Sequence, residues 1–427
     1  MKNTKFPRPE ILSPAGNPEK LAAALRFGAD AVYLAGQRFG MRAAADNFSV
    51  EELRAAVNTV HAAGKKLYLT LNTLPHGYEY PALEAFLTEI KDFGIDAFIV
   101  ADLGVMALLR RVIPSAAIHI STQASIMSPD AARAYAAMGA ERLVLARELG
   151  LDEIAAIRAA IPDTVELEAF VHGSMCISYS GRCLLSSALT GRDANRGACT
   201  QPCRWGYTIV EEKRPEDHFP IEESPVGTFI MSSKDMCMIE HVGKLWQAGV
   251  SSFKIEGRMK SAYYTAVVTN AYKMALDACE KSEDIASFTP DAALYDELCS
   301  VSHREYCTGF YFDSPADNAQ TVTRGGYVRE KAYLAVALGA EAPEGVEAVN
   351  EKGRVYKFAQ RNKLISGERG ELLTPGRVGI PFEIGEIYAE DGTPLDSAPH
   401  PSMIFYMRMP FEINEGDIVR AAGGNDD

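Results

Sequence analysis

The stretch EILSPAGNPEKLAAALRFGADAVYLAG, residues 10–36, decides the fold. A short apolar run, EILSPAG, leads into the Ala/Leu-rich amphipathic stretch PEKLAAALRFG, and a second apolar run, DAVYLAG, follows at once. Near-continuous apolar strands alternating with helices form a parallel sheet covered on both faces. The rhythm continues through KLYLTLN (66–72), DAFIVAD (96–102), AIHISTQ (117–123), RLVLAR (142–147), ELEAFVHG (166–173), TFIMSSKD (228–235) and SFKIEGR (252–258). Helical stretches such as VEELRAAVNTVHAAG and LDEIAAIRAAI separate them. Eight such units close a TIM-like β/α barrel. The candidate strands number nine, so one is surplus, and TFIMSSKD or its neighbour is expected to belong partly to an insertion. The competing arrangement is an open doubly wound sheet, but no G-x-G-x-x-G follows the first strand.

The barrel is expected to occupy residues 9–312, with a cysteine-bearing insertion at about 173–210. Residues 211–227 are acidic and contain proline, which suits a surface excursion rather than core. A linker at 313–333, with DSPADN and TRGG, leads to short strand-like runs over 334–422, read as a small all-β, barrel-like domain. The 427 residues are 47% hydrophobic, enough for two cores. The N-terminus lacks the apolar run of a signal peptide, and no stretch is long and apolar enough to span a membrane, so a cytoplasmic protein is expected. A net charge of −14 argues against a general nucleic-acid coat protein but leaves room for a local basic face.

Four of the eight cysteines share one window: Cys176 and Cys183 in MCISYSGRC, Cys199 and Cys203 in GACTQPC. Clustered thiols in a protein of this type suit metal or redox chemistry better than structural disulfides. The spacing is poor for a pair of zinc knuckles, whereas a cubane iron–sulfur cluster accepts varied spacing. Zinc, a redox pair and plain buried cysteines remain the alternatives. Cys237 stands as a second candidate for the fourth ligand; Cys279, Cys299 and Cys307 are read as structural.

Chemistry in a β/α barrel gathers where the strands end. Those ends are polar here: Ser13, Asn17, Arg42, Asn72, Asp102, Gln123, Arg147, Glu148, His172, Lys234, Asp235, Glu256 and Arg258. Helix capping explains many of them. Arg42, Lys234 and Arg258 are harder to explain as caps, because cations suit the opposite helix end, and they are candidates for holding an anionic substrate. His172 is either a proton donor or a packed structural histidine. No H-E-x-x-H helix, G-x-S-x-G elbow or P-loop occurs.

The segment EAFVHGSMCISYSGRCLLS (168–186) resembles the signature of the U-32, or collagenase-like, peptidase family. LSPAGNPEKLAAALRFGADAVYLA (12–35), SSKDM (232–236) and SFKIEGRMKSAYYTA (252–266) extend the resemblance over roughly residues 9–310. GRDANRGACTQPCRW (191–205) is similar to a branch whose members form 5-hydroxyuridine at the tRNA wobble position. That likeness implies a 4Fe–4S cluster on Cys176, Cys183, Cys199 and Cys203, and prephenate as co-substrate. It implies tRNA as partner, with docking aided by arginines near the cluster. The expected catalytic residues are His172, Lys234 and Arg258, and Arg42, Lys254 and Glu256 are expected to hold the small molecule. The family name alone implies a peptidase instead. A non-catalytic iron–sulfur adaptor, paired with a related subunit or with itself, is the third reading.

Overall fold

The computed structural model describes residues 5–41, 46–176, 178, 182–205, 209–211, 214–219, 233–312, 328 and 331–423. Seven parallel strands come first: β1 (Glu10–Pro14), β2 (Ala31–Leu34), β3 (Lys66–Leu71), β4 (Ala97–Val100), β5 (Ile118–Ile120), β6 (Arg142–Val144) and β7 (Glu166–Ser174). The helices between them are α1 (Pro18–Arg26), α2 (Val50–Ala62), α3 (Tyr80–Ile90), α4 (Leu103–Val112), α5 (Pro129–Ala137) and α6 (Leu151–Ala160). The sequence starts several of these helices with a cap. Asn17 accepts the Lys20 amide before Pro18 opens α1, and Ser49 and Glu52 cap α2 reciprocally.

The insertion carries α7 (Leu185–Thr190), and after that helix come β8 (Ile209–Glu211), β9 (Arg214–Phe219), β10 (Asp235–Cys237) and β11 (Ser252–Ile255). Strand β11 pairs in parallel with both β1 and β7, which closes an eight-stranded barrel and excludes the open sheet. The surplus candidate is TFIMSSKD. Its residues 228–232 lie outside the described residues, and β10, which begins at its last residue, Asp235, is no barrel stave: it pairs antiparallel with the extension of β7, Cys237 opposite His172, and in parallel with β12 (Tyr306–Cys307). Strands β8 and β9 pair as a small antiparallel ribbon that spans the end of the insertion and the start of the 211–227 segment expected as a surface excursion. After β11, α8 (Val242–Gln247) having preceded it, the long helix α9 (Ala262–Lys281) and the short α10 (Ala293–Cys299) cover the barrel wall.

From Tyr333 onward the strands are antiparallel and enclose a second core around Phe358, Phe405 and Met407. This domain is joined to the barrel by a buried ionic contact. Arg420, fully buried, donates to Glu297 of α10 at 2.6 and 2.9 Å and to Glu371 of its own sheet at 2.8 Å. Among the described residues no helix is long and apolar enough to cross a membrane. Most of the expected linker lies outside the described residues.

Candidate functional site

The barrel interior is charged where a β/α barrel is ordinarily filled by branched apolar layers. Arg142, at the start of β6, reaches Glu10, Glu166 at 2.5 Å and Glu168 at 3.1 Å. Fully buried Glu168 also receives Lys254 at 2.6 Å and the Ser252 hydroxyl at 3.2 Å. Burial alone would raise the Glu168 carboxyl, but the Lys254 and Arg142 charges beside it hold it below the usual carboxylate range. This layer forms the support beneath the site. Lys254 stands on it, its ammonium 4.4 Å from the centre of the Tyr33 ring.

Above Lys254 lies a cavity of about 140 Å3 at the carboxyl ends of the strands. Tyr33, Thr70, Ile99, Val144 and Phe170 line its depth. The loops after the strands bring Asn72, Ser121, Gln123, Arg147, Glu256 and Arg258 to it. Cys176, Cys183, Cys199 and Cys203, with Ala194 and Asn195, line it from the insertion. Arg147 lies 3.7 Å above the Phe170 ring and 3.5 Å from Glu256. Arg258 is buried and donates to the Met41 carbonyl and to the Thr70 hydroxyl at 3.5 Å. Arg147, Lys254 and Arg258 thus line the cavity with one carboxylate, Glu256, and with Lys254 paired to Glu168 beneath it; planar guanidinium groups are chemically suited to carboxylates.

Gly173 shows why the β7 motif contains glycine where it leaves the barrel. Its φ is +103°, and a β-carbon there would stand 2.5 Å from the Glu256 carbonyl oxygen. This close approach carries the chain from β7 past Glu256 to Cys176 at the cavity. The cysteine segment is tied back to the barrel by Arg196, which donates to Glu79 at 2.7 Å. The Gln201 amide donates to Cys199 Sγ at 3.3 Å. The donor set, four soft thiols on one cavity, fits a thiolate-held iron group. Among the described residues no three His, Cys, Asp or Glu side chains are already drawn together as a metal cage.

Two expected catalytic residues stand elsewhere. Lys234 precedes β10, which is not a barrel strand, and it pairs with Glu305 at 2.7 Å instead of lining the cavity. His172 is also absent from the lining. The β7–β11 register slips between Lys254 and Ile255, and the His172 ring packs instead against Tyr264 and Tyr272 of α9 and Tyr306 of β12. Burial pushes it down to about 3, so the ring is neutral at pH 7. Cys237 is equally remote: it is buried, its thiol is pushed up to about 12 by burial, and the Tyr272 hydroxyl lies 4.0 Å away. Arg42 lies outside the described residues. Arg147, Asn72 and Gln123 stand out in the sequence as polar strand ends, but nothing in it assigns them to the site. Their position just after barrel strands β3, β5 and β6 is the available signal.

The family model for peptidase family U32 matches residues 16–321, and that for the family's C-terminal domain matches residues 345–420. The chain is 36% identical to tRNA hydroxylation protein P1 of Bacillus subtilis, over 97% of this chain and 94% of that one. It is 33% identical to tRNA hydroxylation protein P of Escherichia coli, over 98% of each. The 23S rRNA 5-hydroxycytidine synthase of Escherichia coli is 39% identical over 65% of this chain and 41% of its own length. Family models spanning both domains and near-full-length relatives agree: this chain belongs to peptidase family U32.

Proposed function

We propose that this chain is an RNA-hydroxylating enzyme that forms 5-hydroxyuridine in tRNA. The observation that carries the reading is one cavity shared by four cysteines and by Arg147, Lys254 and Arg258. Further support comes from relatives named for tRNA hydroxylation that match along nearly the whole chain. A 4Fe–4S cluster would be held by Cys176, Cys183, Cys199 and Cys203; when bound, such a cluster supplies electron transfer or an iron with an exchangeable position. Arg147 and Arg258 would grip the carboxylates of a small co-substrate such as prephenate, and Lys254 would add a point charge beneath it. Asn72, Ser121 and Gln123 offer hydrogen bonds to the edge of a base extruded from a single-stranded loop. Phe170 and Tyr33 provide apolar walls that keep water from the bound groups.

A peptidase needs a nucleophile and a base ready to exchange a proton. Among the described residues, one pair of a thiol and an imidazole set opposite one another is Cys237 on β10 with His172 on β7. With the thiol pushed up to about 12 and the imidazole down to about 3, the thiolate–imidazolium state is strongly disfavoured. The deciding experiment is mass spectrometry of tRNA nucleosides from a host lacking the gene, with and without the gene restored. Appearance of 5-hydroxyuridine or its derivatives only with the gene supports the reading. Unchanged nucleosides in a host with no second hydroxylase would end it.

A further inference from the structure

A pair of stacked aromatic rings lies on the loop that leads away from cavity-lining Asn72, outside the cavity lining itself. His76 and Tyr78 belong to the loop between β3 and α3; their ring planes are 9° apart and their centroids 5.5 Å apart. Both are exposed, Tyr78 at 73%. Exposed aromatic side chains ordinarily lose ordering entropy when they bind. These two are held in advance. The His76 amide donates to Glu79 at 2.8 Å, and Arg196 of the cysteine insertion donates to Glu79 at 2.7 Å and reaches the Tyr78 hydroxyl at 3.4 Å. The loop that carries the rings begins at Asn72, and Arg196 follows Asn195; both asparagines line the cavity. The rings themselves do not line the cavity; they are tied to it through this loop and through Arg196.

The charge around them differs from that of the chain. Residues 174–205 contain four arginines, Arg182, Arg192, Arg196 and Arg204, against the one acid Asp193, a net of +3 in a chain of −14. Arg182 and Arg192 are exposed. A flat, pre-ordered aromatic face flanked by a local basic segment matches a single-stranded polynucleotide, whose bases stack on aromatic rings while its phosphates meet arginine.

We propose that Tyr78, backed by His76, is a stacking platform for an unpaired nucleobase adjacent to the base that enters the cavity. The inference rests on the reading of RNA as substrate and adds the contact by which an acidic protein selects a loop over a duplex. Stacking does not depend on the overall charge, so it supplies affinity where general phosphate attraction is weak.

The test measures binding of two fluorescent RNAs to the holoprotein: a stem-loop with an unpaired uridine-containing loop, and a fully paired duplex of the same length. The native protein is expected to prefer the stem-loop. Tyr78→Ala should weaken stem-loop binding by roughly tenfold or more, the usual effect of removing one aromatic–base stack, and leave duplex binding unchanged. Tyr78→Phe should keep most of the binding, because the ring stays and only the 3.4 Å contact of its hydroxyl with Arg196 is lost. Bound iron and the melting temperature of each variant confirm that the insertion is intact. Equal affinity of native and Tyr78→Ala protein for the stem-loop, or no preference for the loop in the native protein, overturns the platform. If Tyr78→Ala binds normally while the native protein hydroxylates tRNA, the platform alone fails. If Tyr78→Ala loses binding while the native protein modifies no nucleoside, the platform stands and the hydroxylase reading fails.

Discussion

Glu168 is the residue on which the cationic floor of the site depends. It is fully buried between Lys254 and Arg142, so its removal would leave two buried cations without their shared partner. Glu168→Ala is expected to destabilise the protein by about 3–5 kcal/mol, and Glu168→Gln by less, read as denaturant midpoints at constant slope. The folded carboxyl lies below its ordinary value, so its stabilisation is complete above about pH 4.3 and is lost as pH falls through that lower folded value. The gap between native and Glu168→Gln protein should therefore narrow only in acid. His172 carries a dependence of the same sign in a higher pH window. Unfolded, the ring takes a proton near pH ~6.5; folded, burial holds it neutral down to about 3. Protons thus favour the unfolded chain within that window, and stability should fall as pH drops from ~6.5. His172→Gln should flatten this fall between pH 7 and 5; an identical slope in both proteins would show that the ring is not held neutral.

At the scale of elements, the consequential feature is the extension of β7 beyond the barrel. Within the closed barrel β7 pairs with β11, and past it with β10. One strand therefore delivers Phe170 to the cavity, His172 to the aromatic cluster on α9, and Cys176 back to the cavity. This separates the two candidates for a fourth iron ligand. Cys203 lines the cavity with Cys176, Cys183 and Cys199, whereas Cys237 is buried beside Tyr272. Changing Cys199 and Cys203 together to serine should abolish bound iron and sulfide, while Cys237→Ser should retain both. Full iron in the double variant would refute the ligand set, and loss of iron from Cys237→Ser would move the site to β10.

At the scale of the whole molecule, the two domains are coupled through Arg420. The guanidinium is completely buried and bonds Glu297, Glu371, the Tyr263 hydroxyl and Ser300 Oγ. Asn270 of α9 adds a second link, donating to the Arg377 carbonyl and accepting from the Gly376 amide, each at 2.8 Å. Arg420→Ala would leave the buried Glu297 carboxylate without its guanidinium, while half-buried Glu371 keeps Lys331 at 2.9 Å, at a cost of about 3–5 kcal/mol. Calorimetry should show one melting transition in the native protein and two in the variant. A single lowered transition would mean that the domains are coupled by other contacts.

The alternation of apolar runs and amphipathic helices was sufficient to specify a β/α barrel, because strands buried on both faces must be apolar and their crossovers must cover them. The cysteine window was legible for a similar reason: soft ligands in a tight cluster are uncommon without chemistry. Lys254, Glu256 and Arg258 could be picked out because they end a barrel strand. Only the tertiary structure decided which of nine strands was not a stave, and with it the fate of Lys234. It also decided the direction of His172, since a one-residue slip in register sends a side chain to the other face of a strand. Arg147 and the stacked pair at Tyr78 were in plain view as residues. Their meaning depended on barrel closure, which sets loops distant in sequence around one cavity.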